Sequence, residues 1–172
     1  EAAVRALCDA AREDEVLSPA NFNSPGQIVI AGHQTAIERA VALGKERSLK
    51  AIPLKVSAPF HCALMQPAAA RVRAALADVR VSRPRFPVVA NVDARPHDDP
   101  SEIADLLVRQ VDSAVLWEQS VLAMTAAGVG RALELGPGKV LAGLVKRIDK
   151  SWSVQNVSST EEFASAQQLA RG

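Results

Sequence analysis

Three histidines, His33, His61 and His97, are the side chains of this sequence that could act as a base near neutral pH. His61 lies in SAPFHCALM, where an extended stretch meets the start of a helix. The carboxyl ends of strands gather chemistry in α/β folds, and a helix N-terminus favours the neutral imidazole that a general base requires. A capping or packed histidine explains the position of His61 equally well. We expect His33 and His97 to be solvated residues of a loop or a helix end.

The sequence offers no nucleophile to match this base. The motif G-x-S-x-G, which exposes a reactive serine on a sharp turn, does not occur in the 172 residues. Cys62 directly follows His61, so their side chains diverge and are a poor nucleophile–base pair. Ser24, Ser57 and Ser113 are not flanked by paired glycines, and we interpret them as turn or cap residues.

Metal and phosphate sites are also disfavoured by spacing. The histidines and the two cysteines, Cys8 and Cys62, show no recognised ligand spacing, so we predict no metal site. In GPGKV (136–140), Leu133 stands where a phosphate loop needs glycine, and Val140 where it needs Ser or Thr. A tight strand-to-helix turn is the better interpretation, although the helix N-terminus behind it could still meet an anion.

Composition indicates a folded globular chain, with 48% hydrophobic and 23% charged residues. Twenty basic and 19 acidic residues give a net charge of +1, which argues against nucleic acid or a membrane surface as the partner. No apolar run approaches the roughly 18 residues of a membrane helix, and no signal-like segment opens the sequence. Two cysteines form no disulfide framework, so we expect a reducing, cytoplasmic setting.

Hydrophobic periodicity predicts alternating helices and strands, the pattern of an α/β fold. Residues 1–56 read α-β-β-α-β: a helix over 4–12, an extended piece and a strand over 27–32, a helix over 35–43 ended by Gly44, and an extended stretch from Lys50. This is a βαββαβ unit without its first strand. Beyond residue 56, the pattern predicts a helix over 63–79, a buried strand over 87–92 and a helix capped by Ser101. It then predicts two further helices, over 117–127 and 140–148, each followed by a strand, over 131–135 and 152–157. A last helix is predicted from Thr160.

Several segments, taken in order, carry a family resemblance: ANFNSPGQIVIAGH, IPLKVSAPFHCALMQPAA, PVVANVDARP, LLVRQV with VLWEQSV, and ELGPGKVLAGLVKRI. Together they strongly resemble the malonyl-CoA:acyl carrier protein transacylases of bacterial fatty-acid synthesis. The resemblance runs from Glu1 to about residue 160 and covers the C-terminal part of such an enzyme. The family's N-terminal portion, with its serine elbow, an oxyanion-hole glutamine and a carboxylate-binding arginine, has no counterpart here.

The resemblance implies the C-terminal part of an α/β-hydrolase-like acyltransferase core with a small ferredoxin-like subdomain. Residues 1–56 would be that subdomain without its first strand, and residues 57–172 the C-terminal portion of the core.

For the chemistry, the resemblance implies ping-pong transfer of a malonyl group through a serine that this chain lacks. His61 matches the family's catalytic histidine, and the main-chain carbonyl of Gln110 matches the group that orients it. The sequence places Gln110 in the last turn of a helix, where carbonyls lack helical partners. Such a carbonyl can fix the imidazole tautomer as a triad carboxylate does.

The resemblance also suggests binding residues and partners. Phe60, directly before the histidine, would crowd an α-methyl branch and so favour malonyl over methylmalonyl, although a core phenylalanine is an equal interpretation. Asn21 and Asn23 match an asparagine-bearing segment near the family's site. Basic residues could help an acidic carrier protein to dock, although most such charges are simply solvated; they are Lys45, Arg47 and Lys50.

The expected substrates are malonyl-CoA and phosphopantetheinylated acyl carrier protein, with no cofactor and no metal. The expected protein partners are acyl carrier protein and the missing N-terminal portion, without which we expect the chain to be inactive. Two alternatives stay open: a polyketide-synthase acyltransferase, and a non-catalytic fragment that binds the carrier protein.

Overall fold

Two helices and a β-hairpin form the first part of the chain in the computed structural model, which describes residues 1–163 and residue 166. They are α1 (Ala2–Arg12), β1 (Leu17–Ser24), β2 (Gln27–Gly32) and α2 (Gln34–Glu46). The strands pair antiparallel around a turn in which Gly26 has a positive φ of 75°. The predicted helices over 4–12 and 35–43 and the predicted strand over 27–32 are therefore confirmed. The buried residues between the two helices and β1 are Leu7, Cys8, Ala11, Leu17, Ala36 and Ala40.

The end of α2 differs from the prediction that Gly44 stops this helix. Gly44 lies inside α2, is buried and faces Leu7 of α1, so the close packing of the two helices offsets the low helix propensity of glycine. Ser48 takes the left-handed position instead, with φ 57°, and the Leu49 N–H donates to the Gly44 carbonyl at 2.8 Å.

The extended stretch predicted from Lys50 is not a strand in the described chain. Its apolar side chains are exposed, at 66% for Ile52, 59% for Leu54 and 67% for Val56. A strand requires a neighbour that completes its hydrogen bonds, and no described segment pairs with this one.

The middle of the chain packs two helices side by side. A 3₁₀ turn (Ala63–Met65) leads into α3 (Gln66–Leu76), and a short hairpin of β3 (Val88–Val89) and β4 (Pro96–His97) precedes α4 (Pro100–Asp112).

The predicted buried strand over 87–92 is wrong, because only two residues are paired and Val88 is 44% exposed. The predicted helix over 63–79 ends three residues early. Asp99 rather than Ser101 caps α4, since its carboxylate accepts the Ser101 N–H at 2.8 Å.

The last part contains α5 (Trp117–Ala126), β5 (Arg131–Leu135), α6 (Val140–Ile148) and β6 (Ser153–Val157). β5 and β6 pair in parallel, as the alternation of helices and strands predicts. Val121, Val145 and Trp152 form the core between them and the helices. The helix predicted from Thr160 lies mostly outside the described residues.

The segment that follows α4 connects these parts. The Val115 N–H donates to Ala20 of β1 and its carbonyl accepts from Phe22, at 2.8 and 2.9 Å. The next residue, Leu116, donates to the carbonyl of Asn91 at 2.8 Å. The last turn of α4 is thus held between β1 and the segment after β3 in a mixed α/β fold. No helix in the described part of the chain has the length and apolar character that crossing a membrane requires.

Candidate active site

His61 sits in a strained turn rather than at the end of a strand. The Phe60 N–H donates to the Ala58 carbonyl at 3.0 Å, and His61 itself has a φ of 62°. A non-glycine residue in this left-handed region costs on the order of 1–3 kcal/mol, and such residues cluster at functional sites. The helix begins only two residues later, at Ala63. The turn therefore projects the imidazole from a backbone conformation that the surrounding fold must enforce.

The imidazole of His61 meets the main chain of Gln110. His61 Nδ1 lies 2.9 Å from the Gln110 carbonyl oxygen. Because a carbonyl can only accept, this contact is a hydrogen bond when Nδ1 carries the proton. Nδ1–H then leaves the lone pair on Nε2, for which no partner lies at hydrogen-bond distance among residues 1–163 and 166. The arrangement presents a base at Nε2.

The Gln110 carbonyl is available because of its place in α4. It lies in the last turn of the helix, where carbonyls have no N–H four residues ahead and carry the negative end of the helix dipole. This negative end also stabilises an imidazolium that has taken up a proton. The Gln110 side-chain nitrogen lies further away, 3.4 Å from His61 Nδ1.

The other predicted site residues lie either next to His61 in the sequence or on β1, which is hydrogen-bonded to the chain after α4. Phe60 directly precedes His61 and is 48% exposed, so in the described chain it is not a core residue. Asn21 forms an isolated parallel β-bridge with Val115, which lies five residues after Gln110. Asn23 lies two residues further along β1, at an irregularity in the pairing with β2, and both asparagines are half-buried.

The helix N-terminus behind the GPG turn does not receive an external anion. The carboxylate of Glu134 accepts the backbone N–H groups of Leu141 and Ala142 at 2.9 and 3.0 Å. The Asn156 side chain donates to the turn carbonyls of Gly136 and Gly138. A side chain of this chain therefore occupies the position where a bound phosphate would lie, and the turn is a structural one.

The cysteines contribute no reactive thiolate here. Cys8 and Cys62 are both free and buried. Burial raises the pKa of the Cys8 thiol to about 11, and burial also raises the pKa of Cys62, whose thiol donates to the Pro59 carbonyl. In the part of the chain that the structure describes, no group of three potential metal ligands comes together.

His97 is a residue whose surroundings the sequence did not reveal. We expected it to be solvated, but its side chain is only 13% exposed, with Nδ1 2.7 Å from Glu102 Oε2 and Nε2 3.1 Å from Asp93 Oδ2. Those two hydrogen bonds raise its pKa, with the bond to Glu102 contributing most. His33, by contrast, is the helix-end residue predicted, and its Nδ1 accepts the Val16 N–H at 3.0 Å.

A histidine oriented by a hydrogen-bond acceptor on a mixed α/β fold is one part of the catalytic arrangement found in hydrolases and acyl transferases, whose other part is a nucleophile. Comparison with known families makes the class definite: the model of the acyl transferase domain matches residues 1–169, and the chain belongs to this family.

Similar proteins share one description. The chain is 46% identical over 170 residues to the malonyl CoA-acyl carrier protein transacylase of Escherichia coli, which covers 98% of the chain and 55% of the relative. The structure of malonyl-CoA:acyl carrier protein transacylase from Xanthomonas oryzae superposes with a TM-score of 0.92 at 45% identity, over 98% of the chain and 54% of that structure. The chain thus spans about half the length of the relatives it matches.

One similar structure includes a carrier protein. It is a malonyl-transacylase in complex with a type II PKS acyl-carrier protein, 42% identical with a TM-score of 0.92, over 98% of this chain and 55% of that one.

Proposed function

We propose that this chain supplies the histidine half of an enzyme that transfers a malonyl group from malonyl-CoA to the phosphopantetheine thiol of acyl carrier protein. The observation that carries the proposal is the hydrogen bond from His61 Nδ1 to the Gln110 carbonyl, which leaves a free base at Nε2. Membership of the acyl transferase family and the descriptions of the similar proteins support the choice of substrates.

The reaction runs in two steps that use the same base. His61 Nε2 takes the proton of a serine hydroxyl as the serine oxygen attacks the malonyl thioester carbonyl. The C–S bond breaks, and the imidazolium gives that proton to the leaving thiolate of coenzyme A. In the second step Nε2 deprotonates the carrier thiol, whose sulfur attacks the acyl-serine and releases the serine with the proton restored. The Gln110 carbonyl keeps Nδ1 protonated throughout and stabilises each imidazolium.

The serine in this scheme comes from outside the chain, since its sequence has no G-x-S-x-G. The exposed apolar side chains support a complementary protein portion that covers them. Ile52, Leu54 and Val56 alternate along an unpaired extended stretch, and Leu135 and Val140, each 70% exposed, flank the GPG turn. Parallel sheets are normally covered on both faces, so the β5–β6 pair also requires such a cover. The complementary portion corresponds to the part of the relatives outside the match, and residues 1–56 and 57–172 are the subdomain and core portions that it completes.

The proposed reaction also suggests which residues contact the substrates, which cofactors are needed and where the enzyme acts. We assign contact with the acyl group to Phe60, which is half-exposed directly before the base, and substrate binding to Asn21 and Asn23, which are half-buried on β1. Because serine and histidine perform both steps, the reaction uses no cofactor and no metal beyond its two substrates. The two free, buried cysteines are compatible with a reducing, cytoplasmic location.

A second candidate differs only in the carrier protein. The similar malonyl-transacylase in complex with a type II PKS acyl-carrier protein supports a polyketide carrier protein as the alternative partner. The pathway is decided by comparing kcat/KM for a fatty-acid and a type II polyketide carrier protein. A non-catalytic binding fragment would bind carrier protein and transfer nothing to either.

A chimera tests the proposal directly. This chain replaces the matching part of the Escherichia coli transacylase, so that the relative supplies the remaining 45% or so of its length. We expect the chimera to transfer malonyl groups, the His61→Ala chimera to fold but transfer hardly at all, and a His33→Gln chimera to retain transfer. A folded chimera no faster than its His61→Ala version would overturn the proposal. Robust turnover by the isolated chain would overturn the proposal that the nucleophilic serine comes from outside this chain.

A further inference from the structure

His97 forms the centre of a cluster that joins the β3–β4 hairpin to the first turn of α4. The hairpin is tight: Val88 pairs with His97 and Val89 with Pro96, and the Ala90 N–H donates to the Arg95 carbonyl at 3.0 Å. On one side of His97 lies Asp93 of the hairpin loop, and on the other lies Glu102 of α4.

Both ring nitrogens of His97 face carboxylate oxygens, at 2.7 Å for Glu102 and 3.1 Å for Asp93. A carboxylate only accepts, so both contacts are hydrogen bonds only when both nitrogens carry protons. The structure therefore fits an imidazolium between two carboxylates. A neutral ring would leave one carboxylate facing a lone pair and the two negative charges close together.

Several other charged groups around the cluster have partners of their own. Arg83 pairs with Asp98, Asp99 accepts from the N–H and hydroxyl of Ser101, and Arg73 of α3 pairs with Asp105 one turn further along α4. His97 is the ring bonded to both Asp93 and Glu102, and Asp93 also accepts the Arg95 N–H at 3.1 Å.

The same hairpin region also contacts the chain beyond the other end of α4. The Leu116 N–H donates to the Asn91 carbonyl at 2.8 Å, four residues after the helix ends. Residues 88–97 therefore contact the first turn of α4 and the chain four residues beyond its end. Between these two attachments lies Gln110, about 12 Å along the helix from Glu102.

We propose that His97 is a positioning residue: as an imidazolium bonded to Asp93 and Glu102, it fixes the first turn of α4 and thereby holds the Gln110 carbonyl against His61 Nδ1. This inference rests on the proposed function, since it assigns His97 a part in the geometry of the same base. A helix moves largely as a rigid body, so releasing its first turn shifts the carbonyl in its last turn. A displacement of about 1 Å at a catalytic group can lower a rate about a hundredfold.

The raised pKa of His97, caused first by the bond to Glu102, supports the charged state near neutral pH. As pH rises through that pKa, the ring loses a proton and the attachment of α4 weakens. Transfer should therefore fall at alkaline pH through kcat rather than through KM, because the base is displaced while the substrate contacts stay in place.

The experiment uses the chimera with ¹⁵N-labelled histidine and reads the Nδ1–H resonance of His61 across pH, independently of turnover. We expect this resonance to change as His97 titrates in the unsubstituted protein and to be altered at every pH in His97→Gln. In His97→Arg, whose side chain stays charged and can donate to both carboxylates, the change that follows the titration of His97 should be absent. His33→Gln is the matched control and should leave it unchanged.

Kinetics on the same proteins complete the test. We expect His97→Gln to lower kcat by about tenfold with little change in KM, and His97→Arg to retain activity at alkaline pH. A His61 resonance indifferent to His97 and to its variants would overturn the inference even if the chimera transfers malonyl groups. Absence of transfer in the unsubstituted chimera would count against the proposed function, whereas a His61 resonance that follows His97 would still support the anchoring of α4.

Discussion

His61 and Gln110 lie 49 residues apart in sequence, yet the imidazole of one donates its Nδ1–H to the main-chain oxygen of the other over 2.9 Å. In the proposed mechanism, this backbone carbonyl at a helix end takes the orienting place that a carboxylate has in a serine–histidine–aspartate triad. Because the acceptor belongs to the main chain, no substitution of the Gln110 side chain can remove it. The position of α4 as a whole controls this contact.

Replacing His61 by alanine should abolish most transfer in the chimera. The loss of a general base costs about a hundredfold to ten-thousandfold, and here the same group serves both steps. Gln110→Ala, which retains the carbonyl, should reduce the rate much less. Malonyl transfer to holo carrier protein, measured by mass spectrometry, provides the readout. Equal losses in the two variants would remove the reason for assigning the orienting role to the main chain.

Replacing Phe60 by serine should relax selectivity toward a branched acyl group. Phe60 is 48% exposed beside the base, and its ring would clash with an α-methyl substituent. Relief of such a clash is worth about 1–3 kcal/mol, or roughly 10- to 200-fold in the ratio of kcat/KM for malonyl-CoA and methylmalonyl-CoA. Phe86→Ser is the matched control, because Phe86 is also exposed and no prediction places it in the site. An unchanged ratio in Phe60→Ser would leave Phe60 without a role in specificity.

Reversing the charge of Lys45 and Lys50 should weaken docking of the carrier protein. Both lysines line an open groove of about 510 Å³ beside the end of α2, where an acidic helix could lie. Charge complementarity acts chiefly on association, so we expect KM for the carrier protein to rise about tenfold and the effect to shrink in high salt. Lys146→Glu with Lys150→Glu makes the same change in net charge elsewhere. If this control pair raises KM equally, the groove is not the docking site.

Glu134→Gln should destabilise α6. The carboxylate accepts two backbone N–H groups, those of Leu141 and Ala142, whereas an amide would turn its own NH₂ toward one of them. The free energy of unfolding should fall by about 1–2 kcal/mol. Glu118→Gln is the control, since Glu118 lies in the first turn of α5 and has no side-chain hydrogen bond within the described part of the chain. Equal stability of the two variants in urea unfolding would show that the cap contributes nothing.

Local hydrophobic periodicity in the sequence was sufficient to predict most of the helices and strands. The stripe of Leu7, Cys8 and Ala11 is buried as predicted, and the parallel pairing of 131–135 with 153–157 follows from the alternation of helices and strands. These features depend on interactions within a few residues or on a general rule of chain connection.

Features that depend on distant groups were not predictable in this way. Gly44 continues α2 because Leu7 packs against it, and the stretch after Lys50 is unpaired because a strand needs a neighbour. The contact between His61 and Gln110 was predicted from the family resemblance, because no local pattern in the sequence relates residues 49 positions apart. Asp93 lies four residues before His97, but Glu102 lies five residues after it, a separation that matches neither a helix face nor a strand face, so no one periodicity brings the three together.

The stability of the chimera should depend on pH through His97. The pKa of this imidazole is raised from 6.5, so the folded state holds the proton more tightly than the unfolded chain does. The stabilisation is complete below pH 6.5 and is lost as pH rises through the higher pKa of the folded state. His97→Gln, which has no titrating ring, should be less stable than the unsubstituted chimera at about pH 5.5, and this difference should narrow toward about pH 9. Urea unfolding at several pH values measures this difference. A difference for His97→Gln that stays constant with pH would mean that Asp93 and Glu102 do not raise the pKa of the ring in the folded protein.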